Sequence, residues 1–527
     1  MHRKKFIRII AASAVGISFF AGACKRARYA LRRRQDNSAV AHKLREQTSI
    51  PNLAVSAQYD VVIVGAGVSG LSAARYLAKH SKQKVLMLEL GDTIGGNARC
   101  GENSVTKYPL GAHYLPVPPL HCTELIEFLQ EAGVVLAYDN EGLPVYNKEH
   151  LVFDNMERLF MHGTWQDGLV PHNMLQKKDS EQIQRFLEFV NSYRYKKDSN
   201  GKYLYDIPAS NSSKNAAFNS LDKIDARTFL LQNNYHSEAL HWYVNYCMCD
   251  DYGSHYSQTS AWAMVHYYAC RMGKGSAGIS FDDELTWPQG NNFLVEKLQQ
   301  QSKAELQLQA LVQKIEGKKI TYYQARTNQY ACIEARKIIL ATPAHVVGKI
   351  LPQSIDATQM QHFAHYPWLV ANITVKPLPE QPGVELSWDN VLYGSTSLGY
   401  VVANHQHLSQ NVGNMVFTYY KPYNGASAKT LRQQLREKTD QQLQTEVIKD
   451  LKTVYANIED YIVDMELHTF GHAMIAPSPH LLSSGVIEEI RKNLPAHITL
   501  AHTDFAGISI FEEAFYQGLA AGKWAST

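Results

Sequence analysis

The spacing of hydrophobic positions changes from segment to segment, and each spacing predicts an element. Residues 59–64 read YDVVIV, a continuous apolar, β-branched run of the kind that forms a buried strand. The run passes directly into Gly65-Ala66-Gly67-Val68-Ser69-Gly70 and then into LSAARYLAKH, which predicts a helix. A second strand is expected over residues 84–89. Leu431, Leu435, Leu443, Val447, Leu451 and Tyr455 recur at multiples of four residues and predict one charged helix docked by an apolar face. The stretch ALHWYVNYCMCDDY reads as an aromatic-rich core or pocket helix. Cys247 and Cys249 within it, near His236, His241 and His255, have no second ligand pair at zinc spacing. Polar stretches at 196–202 and 208–219 predict surface loops.

The first 24 residues follow a different grammar: Arg3, Lys4, Lys5 and Arg8, an apolar stretch over 9–23, then Ala21, Gly22 and Ala23 before Cys24. They predict a signal peptide or membrane anchor. The 15-residue apolar run is short of the ~20 residues of an upright span. HRKKFIR resembles the twin-arginine export motif, with Lys4 in place of the second arginine, and Cys24 resembles a bacterial lipoprotein site, with Ala21 in place of leucine. Six basic residues from Lys25 to Arg34 outnumber the four before the apolar run, which favours an uncleaved anchor with a cytoplasmic body. An exported periplasmic protein, a membrane-attached one and an anchored cytoplasmic one therefore all remain as readings. Residues 25–56 are expected to be a basic, then polar, linker outside the fold.

Composition narrows the class. The chain has 527 residues, 45% of them hydrophobic, with 32 Gly and 19 Pro, as in folded proteins of several domain equivalents. The net charge of +3 hides an asymmetry: residues 1–46 hold twelve of the 52 Lys/Arg but only Asp36 and Glu46 of the 49 acids, leaving 40 basic against 47 acidic residues. A body this acidic has no electrostatic footprint for nucleic acid. Seven cysteines are too sparse for a disulfide framework. Nothing in the sequence specifies an oligomeric state.

The strand, glycine turn, helix and second strand make a dinucleotide-binding unit. Gly65 makes the tight turn, Gly67 admits backbone to a pyrophosphate, and Gly70 lets helix lie close on strand. Val68 and Ser69 begin the helix whose free N–H groups and dipole attract the phosphates. Glu89, 19 residues after Gly70, is placed to accept from adenosine ribose hydroxyls, with Leu90 beside it.

Beyond Glu89 comes a second glycine pair, Gly95-Gly96-Asn97-Ala98-Arg99. Here the sequence resembles the FAD-dependent amine oxidase superfamily, which also holds carotenoid and phytoene desaturases and protoporphyrinogen oxidases. The resemblance implies that the glycine pair lies against the FAD diphosphate, and it recurs at four later places. Leu110-Gly111-Ala112-His113 is similar to the segment beside the isoalloxazine, with His113 a pocket-wall residue. Val312 resembles the residue whose backbone reads adenine, and Thr342-Pro343 ends the next family strand. Asp504 is similar to the acid that bonds the ribityl or diphosphate part, and Ser509, Ile510 and Phe511 open a helix aimed at the flavin.

The same resemblance makes Lys349 the lysine that holds a water beside flavin N5, and sets His472 and Ile510 where monoamine oxidases carry two caging tyrosines. Lys349 and His472 are thus the catalytic candidates. Gly471 replaces the cysteine that tethers flavin, which implies noncovalent FAD. Asn97 and Gly91 replace two usual arginines, with Arg99 nearby. The implied fold is α/β: a Rossmann-type FAD-binding domain (GR2-like) over 57–115, 287–362 and 464–527, interleaved with an α+β substrate domain over 116–286 and 363–463. The implied function is hydride transfer from a small amine or amino acid to FAD, with O2 or a respiratory carrier as acceptor. The alternatives are a desaturase or isomerase acting on an apolar substrate, a UDP-galactopyranose mutase-like flavoenzyme, and a flavin-binding module without activity.

Overall fold

The computed structural model describes residues 29–34, 38–44, 50–173, 175–407 and 413–527. The expected leader, with Cys24, lies outside the described residues. Two sheets organise the rest, and the fold is α/β as expected.

In the first sheet the strand Ala57–Val64 lies between Val85–Leu88 and Gln329–Leu340, parallel to both. Both faces are covered, and Val61, Val62 and Ile63 are fully buried. Gln329–Leu340 serves two neighbours on its other edge. Its first half pairs antiparallel with Lys319–Gln324, and its last three residues pair parallel with Ile498–Leu500. Val64, Leu88 and Leu340 therefore end level with one another, with Leu500 beside them, and open α/β sheets bind ligands outside such carboxyl ends. The crossover helix Val68–His80 packs against the C-terminal helix Phe511–Ser526, where a Cβ on Gly518 would meet the Ser69 carbonyl at 2.0 Å. The nucleotide-binding helix and the C-terminal helix thus close on one another.

Among the described residues the second sheet has eight strands, with Ile462–Ile475, His365–Val375 and Met415–Pro422 second to fourth from one edge. Every residue of His365–Val375 is buried, because one face carries helices and the other faces the cavity described below. Here the chain departs from the sequence expectations. The four-residue recurrence gives two helices, Ala428–Glu437 and Asp440–Leu451, because Thr439 caps the second one reciprocally with Gln442. Both still bury the expected face, joining Leu435, Leu443, Val447 and Leu451 to Leu369, Ile373 and Phe417. Ile462–Ile475, most of it within the third stretch expected for the FAD domain, pairs with His365–Val375 in this second sheet instead.

Parts of the expected 208–219 loop and of the expected linker are packed against the body. Within 208–219, Ser212 and Ser213 are buried and the helix Ala216–Asp222 begins. Within the expected linker, Ala30–Arg33 pairs in parallel with residues 464–467 at the sheet edge. The arginines explain that pairing: Arg32 meets Asp464 at 2.8 Å, Arg33 meets Asp440 at 3.3 Å and Arg34 meets Glu466 at 2.8 Å. Three of the six basic residues that read as an orientation signal are partners of the acidic body.

Candidate functional site

A cavity of about 450 Å³ opens at the carboxyl ends of the first sheet and runs along the inner face of the second. Its geometry begins with the glycine turn. Gly65 holds φ +105°, and a Cβ there would lie 2.4 Å from the Ala341 carbonyl. At Gly70 a Cβ would lie 2.0 Å from the Gly65 carbonyl, so helix and strand touch through backbone. At Gly67 it would meet nothing within 4 Å, because this residue faces the cavity. Gly67 is also the N-cap of Val68–His80 and has no capping side chain, which leaves the first N–H groups of Val68 and Ser69 open to an anion.

The second glycine pair folds onto the first, with Gly95 N–H donating to Ala66 carbonyl at 2.8 Å. Glu89 secures the turn: its carboxylate accepts from Ala66 N–H at 2.7 Å and Gly91 N–H at 2.6 Å. Burial pushes this carboxyl up, against the pull of those two N–H groups and of Arg99. The Asn97 amide donates to the Ala473 carbonyl and ties the glycine pair to the second sheet. Arg99 donates to the Gly96 carbonyl at 2.9 Å.

Asp504 anchors the opposite wall and is fully buried. One oxygen accepts from Ala344 N–H at 2.7 Å and lies 2.9 Å from His365 Nε2, while Oδ1 lies 3.1 Å from His502 Nδ1 and accepts no well-aligned hydrogen bond among the described residues. Burial works against ionisation, but His365 and His502 outweigh it and hold the carboxyl well below its usual range. Thr342 also leaves a buried hydroxyl unpartnered in this wall. His472 stacks on His345, centroids 4.2 Å apart, and His345 is pushed down to about 3 by burial and by neighbouring His365.

Glu89, Leu90, Ala98, Gly111, Ala112, His113, Val312, Pro343, Ser509, Ile510 and Phe511 complete the expected residues that line the cavity. Gly70, Arg99 and Leu110 stand behind it and shape its backbone. Lys349 does not reach it, and the expected catalytic placement is corrected here. The short helix Ala344–Ile350 buries Ala344, Val347 and Ile350, a spacing that turns Lys349 outward to solvent.

Beyond His113 the wall becomes aromatic and acidic. His113 stacks on Tyr420 at 4.8 Å, and the Tyr420 hydroxyl donates to the Gly111 carbonyl at 2.9 Å. Burial pushes His113 down to about 4, against the opposing hydrogen bond with the Gly111 backbone, so it stays neutral. Asp250 and Asp251, at the end of helix Glu238–Tyr252, share the Tyr114 hydroxyl at 3.2 and 2.9 Å. Arg271 reaches Asp251 at 3.2 Å and Glu284 at 3.4 Å. Burial and adjacent Asp251 push Asp250 up to about 7, and burial pushes Glu157 to about 7 and Glu284 to about 8. The helix is legible in the sequence, but Asp250, Asp251, His365 and Tyr420 carry no recognised motif. The adjacent acids closing an apolar helix were the available signal.

FAD fits the residues present. Two glycines leave backbone bare at an uncapped helix N-terminus, Thr342 offers an unpartnered buried hydroxyl, Asp504 offers a buried Oδ1 with no well-aligned donor, and an acid closes the first turn. Residues 63–132 match a family described as NAD(P)-binding Rossmann-like domain. The chain is 44% identical over 64 residues to flavin-containing amine oxidase A of Canis lupus familiaris, covering 12% of this chain and 11% of that protein. It is 37% identical over 84 residues to the flavin-containing amine oxidase of Oncorhynchus mykiss, 16% of this chain and 15% of the relative, and 33% identical over 96 residues to oxidoreductase PigB of a Serratia strain, 18% and 13%. These matches span well under a fifth of each relative.

Among solved structures, putrescine oxidase bound to putrescine superposes with a TM-score of 0.63 at 15% identity, over 88% of this chain and 98% of the other. Cyclohexylamine oxidase from Brevibacterium oxydans superposes with 0.59 at 15% identity, over 89% and 98%. The chain shares the fold of these solved amine oxidases, and over 64 and 84 residues its sequence is similar to flavin-containing amine oxidases.

Proposed function

We propose that this protein is an FAD-dependent oxidoreductase that removes a hydride from a small organic amine or amino acid, with FAD held noncovalently. The observation that carries this reading is one continuous cavity, from the open helix N-terminus at Gly67 to the acidic wall at Asp250 and Asp251. When bound, the flavin accepts the hydride, and the protein's task is to hold the substrate carbon nearby in a dry pocket. The Val68 and Ser69 N–H groups would bind the diphosphate, and Asp504 Oδ1, beside His502, would accept from a cofactor hydroxyl. Neutral His113 and Tyr420 form an aromatic side wall, and Phe470 and Trp368 exclude water. Asp250, when ionised, holds a substrate ammonium. Solved relatives named for putrescine and cyclohexylamine support an amine over other reductants. His472 lines the pocket beside this path and is kept as the candidate catalytic side chain.

Amine-driven flavin reduction should rise with pH through about 7 as Asp250 gains its charge. Asp250→Asn should flatten that limb and lower kcat/KM for amines by about tenfold or more, the loss of a charged hydrogen bond worth ~1.5–3 kcal/mol. Anaerobic stopped-flow absorbance across pH 5–9 measures both.

The apolar wall formed by Met474, Ile510 and Val370 favours a second reading, a desaturase or isomerase on an apolar substrate. Anaerobic bleaching with amines, polyenes and UDP-sugars in turn separates these readings, and a flavin that none of them reduces supports a binding module. Re-oxidation with O2 and with a quinone identifies the acceptor. The leader supports export to the periplasm or membrane attachment, tested by intact mass and by fractionation of cells expressing the full chain.

A further inference from the structure

The segment after the leader reaches from the second sheet to the far end of the cavity. Ala30–Arg33 is held at the sheet edge by parallel pairing and by the three arginine–acid contacts. Tyr29 is buried there and accepts from the Gln444 amide at 2.6 Å. Arg34 has one side toward Glu466 and the other toward the strand Cys100–Glu102, where its guanidinium would sit 2.8 Å from a Cβ on Gly101. It bridges the two halves of the molecule.

Farther along, Ala41 and Leu44 line the same cavity as Gly65, Glu89 and Asp504. Their place along it is fixed by neighbours. Lys43 lies 4.9 Å from the ring of Tyr323, which pairs across the sheet with Leu311, and Leu44 packs on the cluster that contains Val312 and Tyr322. This is the Glu89 and Val312 end, opposite the acidic wall.

We propose that the described segments 29–34 and 38–44 form an arm that belongs to the cofactor site, with Ala41 and Leu44 covering the planar, apolar-faced adenine of FAD. The proposal rests on the flavin reading above. An aliphatic pair suits a ring face and offers nothing to a phosphate or sugar. The arm is then coupled to the cofactor in both directions: FAD favours the docked arm and the docked arm tightens FAD binding, by the same free energy, and the tighter binding is read as slower release. The ion pairs of Arg32, Arg33 and Arg34 keep the arm close to its site.

The test uses the full chain. FAD release is followed by recovery of free-flavin fluorescence, and trypsin cleavage after Lys43 is followed by mass spectrometry with and without FAD. Leu44→Asp should speed FAD release tenfold or more, and FAD should slow cleavage after Lys43 in the unmodified protein. Equal release rates with and without the substitution, or cleavage indifferent to FAD, overturn the proposal. Should Leu44→Asp fail to fold, Arg34→Glu, which acts on the anchor instead of the cavity, carries the same two readouts. A full chain that takes up no FAD at all overturns the flavin reading itself.

Discussion

Gly67→Asp should leave the fold at least as stable as before and abolish FAD binding. The position has φ −75° and ψ −178°, which any residue adopts, and a side chain there meets no protein atom within 4 Å. Aspartate is a favoured N-cap and suits the positive end of the helix dipole, so thermal unfolding of the apoprotein should hold or rise. Its carboxylate takes the N–H groups intended for the diphosphate and repels what it does not displace. FAD affinity should fall at least about 100-fold, or ~2.8 kcal/mol, by titration with apoprotein. Gly70→Ala is the contrasting case. Its methyl would lie 2.0 Å from a backbone oxygen, so it should lose about 3 kcal/mol of stability through overpacking and lose flavin only as a consequence. Two glycines three residues apart thus separate binding from folding.

The second large effect is expected at Asp504. Asp504→Ala should cost about 3–5 kcal/mol of stability and most of the FAD affinity, because it strands the Ala344 N–H and His365 without an acceptor in a buried wall. The pH dependence has a definite sign. The folded carboxyl is held well below the usual range by His365 and His502 in spite of burial. Its contribution is therefore fully present above the ordinary carboxylate pKa of ~3.9 and is lost only as pH falls toward the depressed value. Urea unfolding between pH 3 and 7 should show a stability loss at the acid end in the unmodified protein that Asp504→Ala reduces. An unchanged acid limb would remove Asp504 from this role.

The cofactor end was legible in the sequence because it is built from short contiguous pieces. Gly65, Gly67, Gly70 and Glu89 lie within one βαβ unit, Val312 lies near the start of the strand Ala310–Glu316, and Thr342 and Asp504 lie just beyond the ends of two other strands of the same sheet. Spacing along the chain is then nearly spacing in the cavity. Lys349 failed for a local reason: matching it by count from Thr342 ignores the helical phase that Ala344, Val347 and Ile350 set.

The substrate end was hidden because its wall is assembled across the sequence. Asp250 comes from a helix, Arg271 from the loop after the next one, and Tyr420 from a strand of the second sheet. No local pattern announces their meeting. The N-terminal strand was missed because its arginines read as leader charge, and only their partners Asp464, Asp440 and Glu466, more than four hundred residues away, show otherwise.

Binding of flavin adenine dinucleotide is tested most directly by denaturing the full-length protein, after purification and incubation with FAD and removal of the excess, and quantifying the chromophore in the supernatant. The account predicts close to one FAD per chain, released without covalent attachment. A protein that remains folded yet yields no flavin would contradict it.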